Sequence, residues 1–190
     1  MTTDITFMTG NQNKADYLAK LLGQDIAHFK LDLTEIQSTN MHDIVEHKVR
    51  QAYDVMHKPV LVEDVYLTFT ALGDLPGPFI KFFLENSAGE RPDGLENLCR
   101  MLDGFTDRSA IGGCTFGYYD GQRLQFFDGL IRGTIAEHPA GERGFGWDKI
   151  FCPEGYDGRT RAQLTEIEYD ELYQVIRPFA ALRAFFDTAK

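Results

Sequence analysis

Ile5-Thr6-Phe7-Met8-Thr9-Gly10-Asn11-Gln12-Asn13-Lys14 runs from an apolar stretch through a glycine turn into a helical pattern, and that order decides the fold. The apolar residues read as a strand. The helix is expected to reach about Gly23, with Tyr17, Leu18, Leu21 and Leu22 on one face. A helix start presents unpaired N–H groups and the positive end of the helix dipole, which suits a phosphate. Gly10 lets backbone approach a ligand, and Lys14 adds a mobile cation in the first turn.

Outward from this unit, Asp25 to Leu33 reads as a second strand and about His42 to His57 as a helix. Pro59-Val60-Leu61-Val62 reads as a short buried strand ending at Glu63-Asp64. Helix alternating with apolar strand predicts an α/β sheet. A Gly- and Pro-rich connection from Leu72 to Pro78 precedes helices near Pro78 and over Leu95 to Leu102. Between about Ser109 and Ala136, two or three antiparallel strands are expected around the Asp120-Gly121 turn. The segment from about Pro178 to Ala189 reads as a final helix, with Phe179, Leu182 and Phe186 inward. No repeat or linker divides the 190 residues, so one domain over 1–190, folded as two lobes, is expected.

The net charge of −10 argues against a protein that grips long nucleic acid by neutralising phosphates. It leaves room for a nucleotide carrying a divalent metal. No apolar run has the length of a membrane span. The scattered Cys99, Cys114 and Cys152 read as free thiols of a reducing cytoplasm.

Lys48 lies inside an apolar helical stripe between Ile44 and Ala52. It is either a snorkelling lysine at the core edge or a cation aimed at a phosphate oxygen. Glu63-Asp64, at a strand end, is either a solvated acidic turn or a pair that binds Mg²⁺ and activates water. Glu35, after Leu31-Asp32-Leu33-Thr34 at the end of another strand, is either a surface residue or a further oxygen ligand. Gly144-Phe145-Gly146-Trp147-Asp148 places the only tryptophan between glycine and aspartate, as a base-stacking ring or an aromatic core plug.

Five segments in order resemble the Ham1 family of inosine triphosphate pyrophosphatases. They are Thr9-Gly10-Asn11 with Lys14, Leu31-Asp32-Leu33-Thr34-Glu35-Ile36-Gln37 and Val60-Leu61-Val62-Glu63-Asp64. Leu75-Pro76-Gly77-Pro78-Phe79-Ile80-Lys81 and Gly144-Phe145-Gly146-Trp147-Asp148 with Ile150-Phe151 complete the set. The resemblance implies an α/β fold with a long twisted mixed sheet, two lobes flanking a central nucleotide cleft, and a homodimer. It also implies Mg²⁺-dependent hydrolysis of nonstandard purine nucleoside triphosphates (ITP, dITP, XTP) to monophosphate and pyrophosphate. Carried over by motif, Thr9, Gly10, Asn11, Lys14 and Lys48 contact the triphosphate, with Lys81 nearby. Glu35 and Glu63 hold Mg²⁺, Asp64 activates water, and Phe145, Gly146, Trp147 and Asp148 line the base and sugar end.

One segment departs from the family. Its members carry a Lys-Asn pair and then Ser-His-Arg, which grip the purine. Here Thr165 to Pro178 offers Tyr173-Gln174-Val175 or Ile176-Arg177-Pro178 at that trio, and Tyr169 where the lysine belongs. Arg177 or Gln174 can donate to a base carbonyl instead. Two alternatives therefore stand beside the enzyme: a slow or inactive nucleotide-binding sensor with a protein partner, and a pyrophosphatase retuned to another base.

Overall fold

The computed structural model describes residues 5–10, 12–23, 25–86 and 89–188; Asn11 lies outside them. The elements, in chain order, are β1 (Thr6–Met8), α1 (Gln12–Leu22), β2 (Ala27–Phe29), α2 (Met41–Met56), β3 (Val60–Phe69) and β4 (Leu75–Gly77). Then come α3 (Ile80–Leu84), β5 (Glu85–Asn86), β6 (Gly89–Glu90), α4 (Gly94–Arg100), β7 (Ser109–Tyr119) and β8 (Leu124–Ile135). The last are β9 (Phe151–Pro153), α5 (Glu166–Ile176) and α6 (Phe179–Thr188). The expected mixed α/β architecture is present: seven strands are hydrogen-bonded in the order β2-β1-β3-β7-β8-β9, with β4 on β3.

The chain divides into two compact units, and β3, β7 and β8 each give part of their length to both. The first comprises Met1–Asp64, Cys114–Gly129 and Arg177–Lys190. In it β1 runs parallel to β2 and to β3, with Phe7 opposite His28 on one side and Leu61 on the other. α2 starts where the Asn40 side chain accepts the His42 N–H at 3.0 Å, a cap that fills one of the orphan donors of a helix start. It buries Ile44, Val45, Lys48, Val49 and Ala52, so the apolar stripe packs inward as its spacing requires. α6 lays Phe179 on Phe116, with ring centroids 6.0 Å apart, and Phe185 edge-on against Tyr118 at 4.9 Å.

A methyl group at Gly117 of β7 would collide with the Val45 side chain on α2. The strand and helix approach each other here only because that methyl is missing. Gly117→Ala is expected to destabilise the protein by about 2 kcal/mol, the usual cost of overpacking a core, read as a lowered melting temperature. An unchanged melting temperature would contradict the packing.

The second unit comprises Val65–Gly113 and Leu130–Ile176. β4 pairs antiparallel with β3, Thr68 opposite Pro76, and β9 pairs antiparallel with β8, Thr134 opposite Cys152. Leu67, Phe69, Leu98, Ile135, Trp147 and Phe151 are among its buried core.

Several elements differ from their sequence reading. β2 covers only Ala27–Phe29, so Glu35 stands in the extended segment before α2 and not at a strand end. β3 continues to Phe69, which puts Glu63-Asp64 inside a strand. Strand residues alternate faces, so these two carboxylates point apart. Of the two or three strands expected around Asp120-Gly121, two form, β7 and an unbroken β8 from Leu124 to Ile135. β4, β9 and α5 were not expected; α5 begins with Glu166 and Glu168 and reads as a polar surface stretch.

Candidate functional site

The alternation along β3 separates two ion clusters in the first unit. Asp64 Oδ2 accepts from Lys48 Nζ at 2.6 Å, and the same ammonium donates to Glu35 Oε1 at 2.7 Å. The apolar stripe of α2 holds Lys48 with only 8% of its surface exposed. Burial alone would favour the neutral amine, but the charge of Asp64 and hydrogen bonds to Asp64 and Glu35 raise the Lys48 pKa. Glu35 is placed by α2 as well: Gln51 Nε2 donates to Thr34 O at 2.9 Å, and Thr34 N–H donates back to Gln51 Oε1 at 3.2 Å. Lys48 is therefore buried as the snorkelling reading required, yet aimed at carboxylates.

Glu63 turns the other way and is buried. Its Oε1 accepts from Arg177 Nε at 2.7 Å and from the Cys114 thiol at 3.5 Å, while Oε2 faces Lys14 Nζ at 3.4 Å. Burial would raise the carboxyl, but the Arg177 guanidinium, the Lys14 ammonium and the hydrogen bonds outweigh it and hold it at about 2. The same burial, with Glu63 beside it, pushes the Cys114 thiol well up, so it stays protonated and donates. Three cations, Lys14, Lys48 and Arg177, thus face three carboxylates, Glu35, Glu63 and Asp64.

Thr9 donates its N–H to Phe29 O at 3.0 Å, which ties the turn after β1 to β2. Gly10 is exposed, and a methyl group there would meet the Lys30 side chain. Lys30 joins the surroundings of this turn through the parallel pairing of β1 and β2, a link no local spacing announces. Arg177, one of the two candidate donors to a base carbonyl, donates to Glu63 instead.

A metal fits this chemistry in one respect. Among the described residues no three carboxylate, imidazole or thiol groups converge as a ready metal cage. Glu35 and Asp64 do converge on a single cation, and Mg²⁺ asks for one or two carboxylates with substrate phosphates completing its shell.

In the second unit the glycine-flanked aromatic segment splits by burial. Phe145 is 54% exposed and Trp147 only 7%. Trp147 packs edge-on against Phe151, ring centroids 5.4 Å apart, so the core-plug reading describes it. Gly144 and Gly146 carry φ of 81° and 60°, a left-handed backbone that glycine adopts without strain. Phe145 lines a cavity of about 300 Å³ with Leu84, Leu95, Arg91 and Lys149. Asp148 is buried; its Oδ1 accepts from Arg161 Nη1 at 2.5 Å, and its Oδ2 from Tyr169 Oη at 2.7 Å and Phe145 N–H at 3.0 Å. Lys81 is exposed on α3, its Nζ 5.1 Å from the centre of the Phe82 ring.

Comparison with known proteins gives a consistent answer. Residues 5–185 match the Ham1 family. Inosine triphosphate pyrophosphatase 2 of Trypanosoma cruzi is 39% identical over 96% of this chain and 91% of its own length. The inosine triphosphate pyrophosphatase of Schizosaccharomyces pombe is 37% identical over 98% of this chain and 96% of its own. A HAM1 protein from Coxiella burnetii superposes with a TM-score of 0.87 over 99% of this chain and 100% of that one, at 23% identity, and so supports the fold.

Proposed function

Because the chain belongs to the Ham1 family, we propose that it hydrolyses nonstandard purine nucleoside triphosphates, ITP, dITP and XTP first, to the monophosphate and pyrophosphate. The observation that carries this reading is Lys48 buried between Glu35 and Asp64. An ammonium held by two carboxylates is a cation that phosphate oxygens can recruit, and its departure frees both carboxylates for other work. Thr9, Gly10, Lys14 and Lys48 take the triphosphate in this reading, with Asn11 assigned by likeness alone. Lys81 is assigned to the nucleotide by likeness alone.

Mg²⁺, when bound, neutralises the phosphates and polarises the phosphorus under attack. Glu35 is one ligand oxygen for it. Glu63 would be the second by likeness, once Lys14 leaves it, since here its two oxygens face Arg177 and Lys14. Asp64 is left to orient a water and take its proton. Phe145, exposed beside Gly146, is the ring available to stack on a base. Trp147 and Asp148 support it from beneath.

By the same likeness the protein acts as a homodimer in the cytoplasm, and its buried free thiols Cys99, Cys114 and Cys152 suit a reducing compartment. One observation favours a second reading, a nucleotide-binding sensor. Arg177, a candidate donor to the base at the altered clamp segment, is committed to the buried Glu63 instead.

A pyrophosphate-release screen over ITP, dITP, XTP and the standard triphosphates, with and without Mg²⁺, decides between them. Release from the deaminated purines, dependent on Mg²⁺, is expected. Tight nucleotide binding with no pyrophosphate over hours would establish the sensor.

A further inference from the structure

Arg161 is the unexplained group of the second unit. Its side chain is 3% exposed, and of its donors Nη1 is committed to Asp148. Nε and Nη2 are shielded from solvent and have no hydrogen-bond partner. A buried donor left unpaired costs about 1–3 kcal/mol, and here two adjacent ones are left on one edge of one guanidinium.

The rest of the side chain is held firmly. Thr160 and Gln163 close a capping box around the turn that carries Arg161. The guanidinium carbon lies 4.7 Å from the centre of the Tyr169 ring and 5.6 Å from that of Trp147. Asp148, its counter-ion, also accepts the Phe145 N–H, so Arg161 is coupled through one carboxylate to the exposed ring of this segment.

We infer that Arg161 reads the base of the nucleotide, donating from Nε and Nη2 to the O6 and N7 acceptors of a 6-oxopurine. This rests on the proposed nucleotide function and adds its specificity. The Nε–Nη2 edge is a rigid planar fork for two neighbouring acceptors, and O6 with N7 is the acceptor pair that arginine commonly grips bidentately on a purine. Hypoxanthine and xanthine carry that pair. Adenine presents an amino donor in place of O6 and would set N–H against N–H. Guanine keeps both acceptors, so this fork does not exclude it. The half-buried Tyr169 ring covers the guanidinium, so entry of the base requires it to turn aside and release its hydrogen bond to Asp148.

The test uses the intact enzyme with ITP, 7-deaza-ITP (no N7 acceptor) and purine riboside triphosphate (no O6). Both pyrophosphate release and calorimetric binding of the α,β-methylene forms are measured. Each altered base is expected to lose about 10- to 100-fold in kcat/KM and in affinity. In Asp148→Asn/Arg161→Met, which removes both charges together, the penalties should vanish. Equal handling of ITP and 7-deaza-ITP by the wild-type protein would overturn the inference. Penalties that persist in the folded double variant would also overturn it, leaving Arg161 as an internal strut. If the double variant does not fold, the wild-type comparison decides. Binding that keeps the base ranking without pyrophosphate release would overturn the hydrolytic reading and leave this one standing.

Discussion

Asp64→Asn is expected to reduce pyrophosphate release by about 10³-fold, within the range that general-base assistance contributes, while nucleotide affinity changes little. Asparagine keeps the shape of aspartate, and its side-chain oxygen can still accept from Lys48, which reaches Asp64 Oδ2 at 2.6 Å in the native protein. It cannot take a proton from water. The melting temperature should therefore stay close to that of the wild type, so that lost activity is not lost folding. A folded Asp64→Asn protein with full turnover would remove Asp64 from the role proposed for it.

Arg177→Met should act on stability. Glu63 and Arg177 are a buried pair, 3% and 4% exposed, and removing one partner of such a pair typically costs about 3–5 kcal/mol because the other charge is stranded. For a chain of this size the melting temperature should fall by roughly 10 °C at pH 7. The pH dependence has a definite sign. The native Glu63 carboxyl sits at about 2, below its ordinary 4.5, so its contribution is complete above 4.5 and disappears as pH falls from 4.5 towards 2. The gap between wild type and Arg177→Met should thus be widest at neutral pH and narrow towards pH 3. Thermal unfolding followed by circular dichroism at pH 7, 4.5 and 3 measures it. Glu63→Gln added to Arg177→Met should recover part of the loss. Equal melting temperatures at pH 7 would refute the pairing.

Local pattern made some of this legible. The strand–turn–helix start, the inward stripe of α2 and the anomaly of Lys48 within it all follow from spacings of a few residues. The antiparallel pair flanking Asp120-Gly121 was equally plain. What stayed hidden depends on distant partners or on burial. Glu63 and Arg177 lie 114 residues apart, and no window contains both. The segment Gly144-Phe145-Gly146-Trp147-Asp148 does not say which ring faces solvent; that is fixed by space above Gly112, where a methyl group would strike the Trp147 ring. α5 escaped notice because its first turns are acidic and its inward residues, Leu172, Tyr173 and Ile176, gather at its end.

The Glu63–Arg177 pair also bears on synthesis of the chain. Domains form from the N-terminus as translation proceeds, and β1, α1, α2 and β3 are complete long before residue 177 is added. Until then Glu63 has no guanidinium to hold it, and the aromatic packing of Phe179 and Phe185 has not begun. A ribosome-bound chain that stops short of residue 177 therefore leaves the buried Glu63 facing Lys14 without its guanidinium.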